Sequence, residues 1–167
     1  MSNQAINNRQ DSFDEANAKG AALKLQLFRA GSLNFGIFTD EIATTIAWRE
    51  PTPLPHAPKS VLGVVSVQGR MLTVLDLATL SGGEAPPSDA AAQHIIALRG
   101  DEQLALAVEA LGETVEVANG DVKPKQEAAG ALILGVLHLE DAEINVLNTT
   151  ELFPSAIQGR ERRRRRF

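Results

Sequence analysis

Apolar and polar residues alternate along most of the chain, and this alternation predicts β-strands. Leu23, Leu25 and Leu27 share one face of an extended segment, and a second alternating segment follows a turn at 30–32. A period of two residues is typical of a strand that buries one face. The first apolar segments therefore predict a β-hairpin.

Further strands are predicted in both halves of the chain. The segments that fit strands are 42–48, 61–67, 71–77, 94–98, 104–108, 115–117 and a strand pair inside 135–152. In the first of these, Ile42, Thr45 and Ile46 would also share one face of a helix, but its adjacent β-branched residues favour a strand. The four prolines within 51–58 predict a stiff, extended loop. A short helix is predicted at 149–153.

One segment of the sequence occurs twice. Residues 63–80 align without a gap to residues 135–152. The identical pairs are Gly63/Gly135, Val64/Val136, Val74/Val146, Leu75/Leu147 and Leu80/Leu152, and the pair Asp76/Asn148 is chemically similar. An internal repeat indicates that one structural unit is built twice, and each half has the order hairpin, third strand, loop, strand pair. The sequence therefore predicts an all-β fold of two five-stranded barrels.

The composition excludes several classes of protein. The chain has 167 residues, of which 44% are hydrophobic, and it has no cysteine. Thiol nucleophiles, disulfides and thiolate metal sites are thereby excluded. No segment reaches the roughly 20 apolar residues that a membrane-spanning helix needs. Residues 1–22 are polar and lack the apolar stretch of a signal peptide, so we expect a disordered leader on a cytoplasmic protein.

The net charge of −5 is unevenly distributed. Residues 160–166 hold six arginines and one glutamate, a local charge of +5, so the rest of the chain carries −10. An acidic body is not typical of a nucleic-acid-binding domain, and we expect no nucleic acid partner. We expect a flexible tail over 154–167. Its arginines have three interpretations: contact with anionic lipid, contact with an acidic partner, or a solubilising end without a specific role.

The sequence offers little for enzyme chemistry. His56, His94 and His138 are scattered and lack the i, i+4 spacing that metal sites use. The glycines at 63 and 69 are not followed by the Lys-Ser or Lys-Thr pair that completes a phosphate loop. Structural positions in strands and in the proline loop explain the histidines well enough.

Three motifs together resemble the CheW-like domain family. They are Phe35-Gly-Ile37, the loop Thr52-Pro-Leu-Pro-His-Ala-Pro58, and the segment 62–77, which has the pattern Gly-x5-Gly-x6-Asp-Leu. The resemblance covers about 23–153. It implies two intertwined, five-stranded, SH3-like β-barrels, the first over roughly 23–80 and the second over roughly 93–153.

The resemblance also implies a function. The chain would be an adaptor that links methyl-accepting chemoreceptors to the histidine kinase CheA in a chemotaxis signalling array, without catalytic activity or cofactor. The receptor's helical cytoplasmic tip would lie in a groove between the barrels, and the open barrel ends would meet the related domain of the kinase. The implied groove residues are Leu54, His56, Gly63, Val65, Gln68, Gly69 and Arg70, with Thr44, Thr73, Asp76 and Asn148 at other motif positions. The membrane would be reached only through the receptors.

The turn of the first copy departs from the family's pattern. Where the family typically has Asn-Leu-Arg-Gly, this chain has Ser-Val-Gln-Gly over 66–69. Gln68 lacks the charge and the donor fork of that arginine, which is associated with receptor coupling. Arg70, two positions later on an extended strand, would replace it in part. Thr73 stands where proline is common and Thr44 where glutamate is common, and these changes leave the fold prediction intact.

Two alternatives stay open. One is a divergent paralogue of the same family that serves pilus-driven motility or another non-flagellar pathway. The other belongs to a different class, a small barrel that binds a ligand or a nucleic acid strand. The acidic body, which lacks a basic and aromatic-lined face, disfavours this second alternative.

Overall fold

Strands form where the apolar positions alternate. The computed structural model describes residues 23–80, 92–100, 102–124, 132–152 and 154. The strands in this part of the chain are β1 (Leu23–Ala30), β2 (Leu33–Phe38), β3 (Ile42–Ala47), β4 (Val61–Val67), β5 (Arg70–Asp76), β6 (His94–Leu98), β7 (Leu104–Val108), β8 (Ala110–Val117), β9 (Val122–Lys123), β10 (Ile133–Leu139) and β11 (Ala142–Leu147). The helical elements with bounds in the described ranges include an α-helical turn, α1 (Leu77–Leu80), and 3-10 turns at Thr39–Glu41, Asn119–Asp121 and Thr149–Glu151.

The strands form two sheets, and each sheet combines strands from both halves of the chain. One sheet has the order β3-β6-β7-β5-β4, and the other has the order β8-β1-β2-β11-β10-β9. The hairpin β1–β2 of the first half thus lies among strands of the second half, and the hairpin β6–β7 lies among strands of the first. The predicted all-β, intertwined fold is confirmed, with β9 as an additional sixth strand. The two halves of the chain, 23–80 and 93–153, are therefore not the two sheets.

The two copies of the repeat have the same strand register. Each forms an antiparallel hairpin with a register shift near its start. The pairs on either side of the shift are Val61↔Leu75 and Gly63↔Val74 in β4–β5, and Ile133↔Leu147 and Gly135↔Val146 in β10–β11. Each copy also pairs in parallel with the hairpin that comes from the other half, β5 with β7 and β11 with β2. The repeat in sequence is thus a repeat in structure.

Each sheet closes into a barrel where the chain crosses from one edge strand of the sheet to the strand at the opposite edge. After β3 the chain returns to β4, where the backbones of Thr52 and Val64 exchange hydrogen bonds of 2.8 and 2.9 Å. After β8 the chain returns to β10 as strand β9, and Lys123 pairs with Val136. The five-stranded and six-stranded barrels are therefore closed in the same way, and β9 is the counterpart of the crossing at Thr52.

The repeated glycine lies under each crossing. A Cβ atom on Gly63 would collide with the backbone carbonyl of Thr52, and one on Gly135 would lie 2.5 Å from the carbonyl oxygen of Lys123. Real Cβ atoms do not approach backbone oxygens so closely, and Gly63 also has a φ of 145° that other residues rarely adopt. Barrel closure therefore requires glycine at both positions.

Buried side chains form three clusters. The interior of the five-stranded barrel contains Val65, Val67, Leu72, Val74, Ile95, Ala97, Ala105 and Ala107. The interior of the six-stranded barrel contains Leu25, Phe38, Val117, Leu137, Ile144 and Val146. The third cluster lies between the barrels and includes Phe28, Phe35, Leu75, Leu106, Leu147 and Leu152. Because this third cluster draws side chains from both sheets, the two barrels pack against each other as one unit.

Some predicted boundaries differ from the observed ones. The strand predicted at 115–117 extends over Ala110–Val117, because β1 also pairs with its first residues. A register shift opposite Gln26 and Phe28 interrupts that pairing, which explains why the alternation is weak there. The predicted short helix begins as a 3-10 turn at Thr149–Glu151, and Leu152 after it is α-helical. The leader 1–22 and the arginines of the predicted tail lie outside the described residues.

Candidate partner-binding surface

The turn between β4 and β5 presents polar groups at the tip of a well-anchored hairpin. Gln68 and Gly69 have positive φ angles of 52° and 79°, as both central residues of a type I′ hairpin turn do. Val67, which precedes them, is buried inside the five-stranded barrel and pairs with Arg70. Gln68, Gly69 and Arg70 are exposed. The barrel therefore fixes the direction of the turn, and the turn faces solvent.

Two arginines lie on either side of this hairpin. Arg70 donates a hydrogen bond from Nη2 to the carbonyl oxygen of Gly100 at 3.2 Å, which ties the turn to the β6–β7 connection. Arg49 donates from Nη1 to the carbonyl oxygen of Ser66 at 2.8 Å. A guanidinium carries five N–H donors, so each bond leaves donors for further contacts. Both arginines are exposed.

A crevice between the two barrels begins beside Arg70. Its volume is about 370 Å³, and its lining consists of Leu98, Arg99, Gly100, Glu102, Gln103, Leu104, Thr149 and Thr150. Gly100 both lines the crevice and accepts the hydrogen bond from Arg70. On the opposite side, Thr149 donates to the carboxylate of Glu41 at 2.8 Å. The crevice can therefore receive side chains of a partner that contacts both barrels.

Partial burial changes the pKa of one acidic side chain in the crevice, Glu102. Desolvation raises the pKa of the Glu102 carboxyl above its ordinary value, because a charged carboxylate is disfavoured where water is partly excluded. Glu102 lies in the connection between β6 and β7, next to the carbonyl oxygens that Arg70 and Thr73 use.

The proline loop lies at the other end of β4. Leu54 is 43% exposed, and His56 is exposed with a positive φ of 59°. The loop rejoins the sheet where the Val61 N–H donates to the carbonyl oxygen of Pro58 at 3.0 Å. A strand rises about 3.3 Å per residue, so this end of β4 is roughly 20 Å from the Gln68 turn. A groove that Leu54 and His56 share with that turn stays a prediction.

Two of the predicted groove residues lie inside the molecule. Val65 is 6% exposed and belongs to the interior of the five-stranded barrel. Gly63 is buried beneath the crossing at Thr52. Barrel closure explains why the motif has glycine at 63, and packing inside the barrel explains why it has valine at 65. Contact with a partner stays a prediction for the exposed residues Leu54, His56 and those of the Gln68 turn.

The remaining motif positions have identifiable structural partners. Asp76 caps α1, accepting hydrogen bonds from the Ala78 N–H at 3.2 Å and the Thr79 hydroxyl at 2.8 Å. Asn148 holds the equivalent place in the second copy and accepts from the Thr150 hydroxyl at 2.6 Å. The backbone N–H groups of both residues donate to equivalent carbonyl oxygens, those of Ser60 at 2.7 Å and Leu132 at 2.8 Å.

Thr44 and Thr73 occupy half-buried strand positions. Thr44 lies in the edge strand β3 opposite Ala97. Thr73 lies in β5, where its N–H donates to the carbonyl oxygen of Gln103 at 2.8 Å. A proline at this position would lose that hydrogen bond, so threonine gives the β5–β7 pairing one more contact.

The described residues hold no group of three or more acidic or histidine side chains that could bind a metal ion. His94 begins β6 and His138 lies near the end of β10, and these strands belong to different sheets. None of the helices in the described ranges is long and apolar enough to cross a membrane.

Sequence reasoning missed Arg49 and Met71. Arg49 precedes the proline loop and reaches β4 only because the barrel closes there, which no local pattern indicates. Met71 was assigned to a strand, but its side chain is 56% exposed beside the turn. The alternation of β5 contains a signal for it, since the buried positions Leu72 and Val74 place Met71 on the opposite face.

Comparison with known families identifies this arrangement. The model of the CheW-like domain matches residues 24–156. The chain belongs to the CheW-like domain family. The match covers both barrels, and it confirms the resemblance that the proline loop and the Gly-x5-Gly-x6-Asp-Leu segment indicated.

Relatives and a solved structure agree with this CheW-like assignment. "Chemotaxis protein CheW" of Rhizobium meliloti (strain 1021) is 28% identical over 136 residues, which cover 79% of this chain and 88% of that protein. "Protein FrzA" of Myxococcus xanthus is 28% identical over 137 residues, covering 78% and 85%. The crystal structure of the scaffolding protein TtCheW from Thermoanaerobacter tengcongensis has a TM-score of 0.67 and 20% identity, and covers 76% of this chain and 89% of that one. The structural likeness supports the fold.

Proposed function

We propose that this CheW-like chain is an adaptor that couples chemoreceptors to the histidine kinase CheA in a chemotaxis signalling array. The observation that carries the proposal is the family match over 24–156, because this is a family of adaptors and scaffolds. The relative named chemotaxis protein CheW is similar over most of both chains. The adaptor needs no catalytic group, since shape and surface chemistry suffice for binding a helix.

The surface geometry supports a role for the β4–β5 turn and the crevice in receptor binding. The helical tip of a receptor would lie along the turn, with side chains entering the crevice between Leu104 and Thr149. The open barrel ends are left for the related domain of CheA. The adaptor would then work in the cytoplasm, at membrane-associated arrays that it reaches through the receptors.

Copurification with the cognate partners tests this function. The intact chain is mixed with purified CheA and with a receptor cytoplasmic fragment, singly and together, and we expect binding to each. Gln68→Arg restores the charge that the family usually has at this turn, so it should strengthen receptor binding. Absence of binding to both partners contradicts the proposal. A phosphorylation assay with the same components then shows whether coupling activates or dampens the kinase.

A second candidate stays within the CheW-like family. The chain is also similar to Protein FrzA, at 28% identity over 137 residues. This similarity is a reason to test a paralogue that serves pilus-driven motility or another non-flagellar pathway. Parallel binding assays with each histidine kinase of the same cell distinguish the two, because the adaptor should prefer the kinase of its own pathway.

A further inference from the structure

We propose that Met71 is a site of reversible oxidation by peroxide, and that the sulfoxide formed there weakens binding of the receptor helix. The inference rests on the proposed function, because the receptor tip is the partner that this surface would bind. It goes beyond that function by giving the surface a redox-dependent state. The modification adds one oxygen atom to the thioether sulfur.

Met71 carries the one sulfur atom in the described part of the chain. The sequence has no cysteine and two methionines, and the other methionine, Met1, lies outside the described residues. The side chain of Met71 is 56% exposed. A sulfur must be accessible to solvent to react with peroxide. Within the described residues, an oxidant of sulfur therefore acts at this position.

The Met71 side chain points to the side of the sheet that faces the other barrel. Side chains alternate along a strand, so Met71 shares a face of β5 with Thr73 and Leu75. Leu72, on the opposite face, belongs to the barrel interior. Leu75 belongs to the cluster between the barrels, and Thr73 pairs with Leu104, which lines the crevice. Met71 is therefore an exposed apolar group at the rim of the crevice, where the receptor helix would lie.

The fold can accept an oxygen atom on this side chain. Ser66 stands directly opposite Met71 on β4 and is also exposed. Neighbours of this kind have Cβ atoms about 4.5–5.5 Å apart, so the Ser66 hydroxyl can donate a hydrogen bond to the sulfoxide oxygen. In the second copy of the repeat, Glu143 occupies the equivalent position in a hairpin of the same register. A polar group at this position is therefore compatible with the barrel.

The oxidation step balances with hydrogen peroxide alone. The sulfur lone pair attacks one peroxide oxygen, the S–O bond forms and the O–O bond breaks, and the departing hydroxide takes the proton of the transferred oxygen and leaves as water. Sulfur loses two electrons, which the peroxide gains. A dithiol methionine sulfoxide reductase reverses the step, since its two thiols become a disulfide and the oxygen leaves as water. While oxidised, the flexible apolar side chain is polar and packs less favourably against the apolar side of a helix.

Peptide mapping and binding measurements test the proposal. The purified full chain is treated with hydrogen peroxide and titrated with the receptor cytoplasmic fragment and, separately, with CheA. Trypsin separates the two methionines for mass spectrometry, because it cleaves after Arg9 and Arg70. We expect Met71 to gain the mass of one oxygen atom, the circular dichroism spectrum to stay unchanged, and receptor affinity to fall about fivefold. Treatment with the reductase and a dithiol should restore both the mass and the affinity.

Three variants separate the position of the sulfur from its presence. Met71→Leu keeps an apolar side chain without sulfur, so peroxide should leave its receptor binding unchanged. Met71→Leu/Leu33→Met moves the methionine to an exposed position in β2 of the six-stranded barrel, where it should be oxidised without loss of receptor binding. Met71→Gln is polar without oxidation and should bind the receptor about as weakly as the oxidised wild type.

The outcomes separate this inference from the proposed function. A loss of receptor affinity in the oxidised wild type that is absent in Met71→Leu supports it. Equal receptor binding by the oxidised and the reduced wild type, or an equal loss in Met71→Leu, overturns the inference and leaves the adaptor function standing. A Met71 that stays unmodified while Met1 is oxidised also overturns it. If the reduced wild type binds neither CheA nor the receptor, the proposed function fails and the inference fails with it.

Discussion

The hairpins β4–β5 and β10–β11 share a strand register and differ at their tips. Both have a register shift, a glycine beneath the barrel crossing and a capping side chain at their end. At the tips, however, residues 68–71 carry an arginine and an exposed methionine, while residues 140–143 carry three carboxylates. The positions that the barrel constrains are alike, and the positions that it leaves free are different. Binding specificity can therefore diverge between the two copies without any change in the fold.

The largest expected effects come from the core that both copies share. Leu75 and Leu147 are equivalent and almost fully buried between the barrels, at 1% and 0% exposure. Each change to alanine should lower the free energy of unfolding by about 3 kcal/mol, because it removes packed methyl groups and leaves a cavity. Urea denaturation measures both variants. A loss confined to one of the two would show that the copies do not share this core equally.

Alanine at either repeated glycine should be the next largest change. In Gly63→Ala and Gly135→Ala, the new methyl group meets the backbone carbonyl of the crossing segment, and we expect a loss of about 2 kcal/mol from overpacking. The Gly63 variant should lose more, since its φ of 145° adds backbone strain. Gly120→Ala is the control, because nothing lies near its Cβ position. Urea denaturation that ranks the control with the other two would contradict our explanation of the repeat.

The capping residues should give smaller and unequal effects. Asp76→Ala removes the acceptor of two hydrogen bonds to α1, and losing a cap costs about 1 kcal/mol. Asn148→Ala should cost somewhat more, because Asn148 is only 2% exposed and its removal takes the acceptor from the half-buried Thr150 hydroxyl. Thermal unfolding of both variants checks the order. A larger loss of stability for Asp76→Ala than for Asn148→Ala would mean that the capping hydrogen bonds of Asp76 matter more than the burial of Asn148.

The smallest effect should be a gain. Gln68 and Glu140 occupy equivalent turn positions with φ angles of 52° and 51°, where glycine is favoured. Gln68→Gly and Glu140→Gly should therefore each stabilise the fold by roughly 0.5–1 kcal/mol, a rise of about 2–4 °C in the melting temperature. Calorimetry on both checks this. A fall in melting temperature for either variant would show that the side chain makes stabilising contacts.

The repeat and the alternation predicted much of the fold but not its connectivity. The strands 61–67, 94–98 and 104–108 were predicted at their observed bounds, because their alternation reflects one buried face. The exchange of hairpins between the halves came only from the family resemblance, since a strand's own pattern does not identify its neighbour. Among the site residues, the exposure of Gln68 could be predicted, because a polar residue followed by glycine between two strands is typical of a hairpin turn. The burial of Gly63 and Val65, and the approach of Arg49, depend on how the barrel closes.

The exchange of hairpins also sets an order for folding during synthesis. The five-stranded barrel contains strands from β3 to β7, so all of its residues have been made once the ribosome passes Val108. The hairpin β1–β2 is made first, yet its neighbours β8 and β11 are made much later. The edge of β1 stays unpaired until Val117 emerges and the edge of β2 until Leu147 emerges, and unpaired edges of this kind are sites of aggregation. A nascent chain of this protein thus carries its earliest strands as its most vulnerable ones, and chaperones that bind emerging apolar segments should meet β1 and β2 first.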